Sequence, residues 1–490
     1  MRIPRSLPVV ALLASAALPL GACQVGPNFH APAPPAVTGY TATPLPPATA
    51  SADVAAGQAQ RFAEGADVPA KWWTLYRSPA LDALMERALK ANPDLEAAQG
   101  ALRAAQEAYR VQAGALLPTV DAGYNATRAK VSDTTTSPLN SNAFLYTLHT
   151  AQVTVGYTPD VFGALHRQAE NAKARAEAQR FQTEAAYLTL TANVVAAAVQ
   201  QASLTAQVAA TRALIASDRR QLELMREQLR QGEIARPDVL AQQTLVAQAE
   251  QALPPLEKQQ AQQDDLLAAL TGRFPSEAAG APVDLASLQL PAELPVSLPA
   301  RLVQQRPDIR AAEANLHAAS AAVGVAIAAR LPTFPLLAAA GGQSTGIGSL
   351  FSNGNDFWTL SGGVTQPIFE GGQLLHRQRG AEAALDQAKA QYRSTVLGAF
   401  QNVADSLQAL QADARALQAA AATEASAAQS LAAAQRQFAA GEAASLPVLV
   451  AEQARQQAAL ALVQAQAARY ADTAALYQAL GGGWWNRTAN

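Results

Sequence analysis

Asn92-Pro93-Asp94-Leu95-Glu96-Ala97-Ala98 opens a stretch that closes at Leu117-Pro118-Thr119, and Arg306-Pro307-Asp308-Ile309-Arg310-Ala311-Ala312 opens a second that closes at Leu331-Pro332-Thr333. Pro93 and Pro307 stand as far apart as Pro118 and Pro332, so both landmarks share one offset. The echo continues downstream. Ala164-Leu165-His166-Arg167-Gln168 returns as Leu374-Leu375-His376-Arg377-Gln378. Gly232-Glu233 with Val239-Leu240 returns as Gly441-Glu442 with Val448-Leu449. A unit of about 210 residues is far longer than a solenoid repeat. The chain reads as a duplicated half-domain, and each half is expected to build the same elements in the same order.

Each half should begin with a helix, from Asp94 to about Leu116 and from Asp308 to about Arg330, ended by Pro118 and Pro332. Strand-like segments follow, then a very long helix. No proline lies between Pro159 and Pro237, and no glycine between Gly163 and Gly232. A helix of that length spans roughly 100 Å. Pro367 to Pro447 gives the matching stretch, weakened by Gly380 and Gly398. Turns at Gly232–Pro237 and Gly441–Pro447 lead into return helices reaching about Leu270 and Leu480. Helices this long need a partner face, and their many alanines let backbones approach, so side-by-side coiled-coil packing is expected. The helices alone fit a structural coiled coil.

The strands point elsewhere. Val120, Ala122, Tyr124 and Ala126 alternate with Thr119, Asp121, Gly123 and Asn125. Ala151, Val153, Val155 and Tyr157 alternate with Gln152, Thr154, Gly156 and Thr158. Trp358, Leu360 and Val364 alternate with Thr359, Ser361 and Thr365, while residues 333–341 are less regular. The connecting loops, 132–142 and 341–356, are polar. One apolar and one polar face is the pattern of an outer-membrane barrel strand, although a soluble antiparallel sheet with one buried face alternates identically. Four strands cannot close a membrane barrel, and an open edge in lipid would leave backbone groups unpaired. If these strands span a membrane, several copies must share one barrel.

The N-terminus favours the membrane. Arg2 and Arg5 precede an apolar run from Leu7 to Leu20, ending in Leu20-Gly21-Ala22-Cys23. Residues 1–22 read as an export signal, and Cys23 matches the cysteine of a bacterial lipoprotein processing site, acylated after cleavage. Gln24 after it favours the outer membrane by resemblance to other lipoproteins. Cys23 is the only cysteine, so no intrachain disulfide or thiolate cluster forms. Residues 23–70, with seven prolines from Pro27 to Pro47, read as an extended tether. Residues 71–275 form the first repeat, 276–305 a proline-rich linker, 306–485 the second repeat and 486–490 a tail. Past the signal, no run of about 18 apolar residues exists, so no transmembrane helix is expected. Loss of Arg2 and Arg5 moves the formal charge from −2 to −4, which argues against nucleic acid as a partner.

The chain resembles the outer-membrane efflux factors of the TolC and OprM type, in the NodT-like lipoprotein branch. The residues carrying the resemblance are Val25-Gly26-Pro27-Asn28-Phe29, Trp72-Trp73 with Pro79-Ala80-Leu81, and Asn92-Pro93-Asp94-Leu95. To these add Arg306-Pro307-Asp308-Ile309 with Glu313, and Gln366-Pro367-Ile368-Phe369-Glu370-Gly371-Gly372. The resemblance implies a mainly α fold with a membrane β-barrel part: a homotrimer with a twelve-stranded barrel and a long helical periplasmic tunnel. It implies a passive exit duct, served by a periplasmic adaptor (membrane fusion protein) and an inner-membrane RND-type pump. The turns after the long helices are then the closing tip, where adaptors dock. That role carries over to Arg230, Gly232, Glu233, Asp238, Val239 and Leu240, and to Gly441, Glu442, Ser445, Val448 and Leu449. Each glycine equally suits a helix C-terminus, which favours a left-handed residue. Some relatives narrow the tip with acidic rings. Here Asp238 is matched in the second half by Pro447, and Glu442 and Glu452 are the nearest acids.

Catalytic signals are weak. Gly342-Gln343-Ser344-Thr345-Gly346 matches the nucleophile-elbow pattern, but loop residues follow where a helix is needed. His166 and His376 hold equivalent places and could form a metal ring in an oligomer, or simply be polar groups at helix starts. No phosphate loop, zinc-ligand spacing or paired-carboxylate signature occurs, so no cofactor is expected beyond a lipid on Cys23.

Overall fold

The computed structural model describes residues 24–139, 141–277, 282–443 and 445–487; Cys23 and the signal segment lie outside them. In chain order the main elements are β1 (Arg61–Glu64), α1 (Pro79–Ala91), α2 (Pro93–Gly114), β2 (Thr119–Lys130), β3 (Leu145–Tyr157), α3 (Ala164–Gln231) and α4 (Arg236–Leu270). They continue with β4 (Glu293–Val296), α5 (Pro299–Gln305), α6 (Pro307–Ala328), β5 (Leu336–Ser344), β6 (Asp356–Gly362), α7 (Gln373–Ala439) and α8 (Ser445–Ala479). The duplication is plain in the elements. α2 and α6 both have 22 residues, α3 and α7 have 68 and 67, and α4 and α8 both have 35.

Local chemistry sets the ends. Asn92 Oδ1 accepts the Leu95 amide at 3.0 Å and Pro93 takes the first helical position, so α2 starts on a good cap. Gly380 and Gly398 do not interrupt α7, and α4 runs through Pro254-Pro255. Arg219–Glu250 and Arg212–Glu257 ion pairs at 2.5 and 2.7 Å tie α3 to α4 on either side of the prolines, though exposure keeps each of small worth.

The chain divides into two compact units. The first holds the stretch through Pro32, Leu102–Gln179 and Ala312–Tyr392, and it contains the large sheet. That sheet is antiparallel throughout, in the order β2-β3-β5-β6.

The second unit, Ala33–Ala101, Arg180–Ala311 and Arg393 onward, holds the aromatic core. Trp72 stacks on Tyr477 at 5.3 Å, the Tyr76 hydroxyl donates to the Tyr470 carbonyl at 2.9 Å, and Leu81, Leu84, Met85, Val194 and Val195 fill around them. Trp72-Trp73 is therefore a packing pair, as is Trp484, edge-on to Phe181.

The proline-rich N-terminal segment is free of helix, as its composition implies, yet it is docked rather than loose. β1 pairs in parallel with β4, Arg61 opposite Glu293, and so joins the proline-rich stretch between the halves. Arg469, 1% exposed, donates to the carbonyls of Ala56 and Gln58 and to Thr49 Oγ1 and Gln60 Oε1, at 2.5 to 3.2 Å. A buried guanidinium is expensive unless its donors are satisfied, and this segment supplies acceptors to both terminal nitrogens, while Nε has none among the described residues.

Candidate functional site

The large sheet separates its side chains by chemistry. Register places Val120 opposite Val155, Val155 opposite Ala338 and Ala338 opposite Leu360. The next apolar row is Ala122, Val153, Ala340 and Trp358. Directly paired antiparallel residues project to one side, so one face is apolar across all four strands. The opposite face is mainly polar, with Thr119, Asp121, Asn125, Thr150, Gln152, Thr154, Gln343, Thr359 and Ser361, and also holds Leu337 and Phe357. Trp358 remains 78% exposed, Leu360 70% and Val120 67%, so nothing among the described residues covers these side chains of the apolar face. β2 and β6 are both edges. β2 and β3 are longer than the alternating runs alone marked, and β5 reaches Ser344, into the stretch read as loop.

The two hairpin turns are built alike. Gly232 has φ +79° and Gly441 φ +73°. Glu233 donates its amide to the Gln228 carbonyl at 2.9 Å and Gly232 to Leu229 at 3.1 Å. Glu442 donates to Gln437 at 2.9 Å and Gly441 to Phe438 at 3.0 Å. Both are Schellman closures, which need a left-handed residue where each glycine stands. Val239 is buried with Leu222, Met225 and Val246, and Val448 with Leu431 and Ala434. The halves then diverge. Leu240 is 52% exposed and its equivalent Leu449 is buried. Asp238 accepts the Ala235 amide at 3.2 Å, a helix-start contact that Pro447 cannot supply. Ser445 opens α8.

Charge at the tips is local. Arg230 pairs with Glu227; hydrogen bonds from Arg230 and then Gln231 hold that exposed carboxyl below its ordinary range. Glu233 and Glu442 are exposed. Glu452 lines a 140 Å³ cavity with Asp218, and burial first, then the Asp218 charge, pushes its carboxyl up.

Sequence reading missed a clamp on the N-terminal segment. Arg167, 2% exposed, donates to the Val25 carbonyl at 3.1 Å, to Asn28 Oδ1 at 2.7 Å and to Glu170 at 2.6 Å. Glu170 meets His317 Nε2 at 2.8 Å, and Phe29 stacks on the His317 ring at 4.4 Å. Burial raises the Glu170 carboxyl, but the His317 and Arg167 hydrogen bonds and charges outweigh it and hold it low. Arg377, the repeat equivalent of Arg167, is exposed. The only signal for the clamp was the Val25–Phe29 run itself.

The chemical candidates have ordinary settings. Asp160 accepts the Leu165 and His166 amides at 3.0 and 2.8 Å and binds His166 Nδ1 at 2.6 Å, which caps α3. His376 sits in the first turn of α7. Ser344 Oγ lies 2.6 Å from Ser349 Oγ in the β5–β6 connection, where a short 3-10 turn follows in place of a helix.

The outer membrane efflux protein family model matches residues 84–273 and 298–482, once in each half. The pyoverdine export outer membrane protein OpmQ of Pseudomonas putida is 30% identical over 451 residues, covering 90% of this chain and 94% of that protein. The antibiotic efflux pump outer membrane protein ArpC of Pseudomonas putida is 30% identical over 489 residues, covering 97% and 96%. The solved structure of the outer-membrane channel OprN superposes with a TM-score of 0.82 at 26% identity, covering 94% of this chain and all of that one. The pore-free coiled coil and the hydrolase both give way to these likenesses. The chain belongs to the outer membrane efflux protein family and is the outer-membrane channel component of an efflux pump, a transport protein and not an enzyme.

Proposed function

We propose that three copies of this chain close one twelve-stranded barrel, four strands from each, and that their hairpins continue it as a periplasmic tunnel. The carrying observation is a four-stranded sheet that, among the described residues, has two unpaired edges and an uncovered apolar face. Unpaired backbone groups in hydrocarbon cost several kcal/mol each, and closure against sibling strands removes that cost. In this reading residues 1–22 are removed on export, Cys23 carries the lipid, and residues 71–275 and 306–485 are the two efflux repeats joined by 276–305.

The duct is passive. A periplasmic adaptor docks on the tips through Arg230, Gly232, Glu233, Asp238, Val239, Leu240, Gly441, Glu442, Ser445, Val448 and Leu449, and an RND-type inner-membrane pump supplies energy and selection. Exposed Glu233, Leu240 and Glu442 offer contact groups, while buried Val239 and Val448 shape the turns that present them. The names of the relatives, which export pyoverdine and antibiotics, support small organic molecules as cargo.

Purified protein reconstituted in a planar bilayer tests the reading. Discrete conductance steps, with a trimer band that collapses to monomer on heating, are expected. A monomer without pores would overturn it.

A further inference from the structure

One acidic side chain stands on the polar face of the sheet. Asp121 is exposed on β2, and register aligns it with Thr154, Ala339 and Thr359. The row on one side is Thr119, Gly156, Leu337 and Ser361; the row on the other is Gly123, Gln152, Gly341 and Phe357. None of these is charged, so no cation on the face balances the carboxylate. Among the described residues its side chain makes no hydrogen bond or ion pair. The other charged strand residues, Arg128, Lys130 and Asp356, fall on the apolar side of the register.

We infer that Asp121 sets a preference for cations in the barrel segment of the channel. The inference rests on the trimeric barrel proposed above, because closure with the apolar face toward lipid turns the Asp121 face toward water. Three copies then place three carboxylates at one height, in a wall otherwise built of hydroxyls, amides, glycines and apolar groups. Unpaired charges of one sign raise the local concentration of counter-ions and repel co-ions. Screening acts over about 10 Å at 0.1 M salt and about 30 Å at 0.01 M, so the preference strengthens in dilute salt. Cationic cargo gains from this field and anionic cargo is slowed. The device is independent of the tips, where the repeat supplies Asp238 in one half and Pro447 in the other.

The test is the reversal potential of single channels in a potassium chloride gradient, for wild type, Asp121→Asn and Asp121→Glu. Wild type should favour potassium, and Asp121→Asn should lower the potassium-to-chloride permeability ratio about twofold or more at low salt, with less effect at high salt. Asp121→Glu should keep the wild-type ratio, which separates charge from a packing defect. An Asp121→Asn channel with wild-type permeability ratio at low salt overturns the inference while leaving the channel reading intact. A wild type without pores overturns both.

Discussion

Gly26 and Gly324 touch backbone to backbone: a Cβ built on Gly26 would lie 2.4 Å from the Gly324 Cα. Gly26 also has φ +92°, a conformation that side chains rarely adopt. Any side chain there is penalised twice. Gly26→Ala should release residues 24–29 from Arg167 and His317, at a cost of about 1–3 kcal/mol. Faster proteolysis of the N-terminal segment, with the helical core intact, is the expected readout. Unchanged cleavage would show that the clamp does not hold the segment.

Adjacent residues on β3 should respond in opposite ways. Val153 lies on the apolar face and Thr154 on the polar one. Arginine on a lipid face costs about 2–4 kcal/mol near the bilayer centre. Val153→Arg should reduce heat-modifiable oligomer in the outer membrane, and Thr154→Arg should not. Equal yields from both variants would refute the assignment of faces.

At the turns a new Cβ on Gly232 or Gly441 would meet open space, so left-handed backbone strain is the whole local penalty. Valine should cost about 1–2 kcal/mol at either place, and asparagine much less. The expected result is assembled protein with impaired export for Gly232→Val and Gly441→Val, scored by drug susceptibility in a strain lacking its own channel, and near-normal export for the asparagine variants. Full resistance in the valine variants would remove the turns from the export mechanism.

Asp413 gives a pH dependence. Burial first, then the neighbouring Asp472 carboxyl, raises its pKa to about 7, against the opposing charge of Arg469. A carboxyl raised on folding binds its proton more tightly in the folded state, so its contribution is complete below the unfolded value near 4 and is lost as pH climbs to about 7. Thermal stability should therefore fall across that window, and Asp413→Asn should flatten the fall. A variant with the wild-type pH profile would show that this carboxyl is not the source.

Much of this was legible in residues with short-range meaning. Pro159, Gly232 and Pro237 bracketed α3 and its turn because glycine and proline act on their own backbone. Alternation from Val120 to Ala126 gave the faces of β2 because period two is a local signal. What escaped depends on distant partners. Arg469 meets Thr49 across more than 400 positions, and nothing around either residue announces the other. β1 is four residues long and pairs with an equally short β4, too brief for periodicity to register. Leu240 and Leu449 look equivalent in the repeat, yet one is exposed and the other buried, a difference that the local sequence does not carry.

The two bare margins of the sheet carry a genetic consequence. A polypeptide that completes its wall only with siblings can be poisoned by a defective sibling. A copy with proline within β6 cannot supply a full edge, since proline has no amide to donate. Co-expressed with normal copies, it should behave as a dominant inhibitor of export, whereas a copy that is never made should be silent in the same background. Normal resistance in the mixed strain would mean that each healthy molecule finishes its wall unaided.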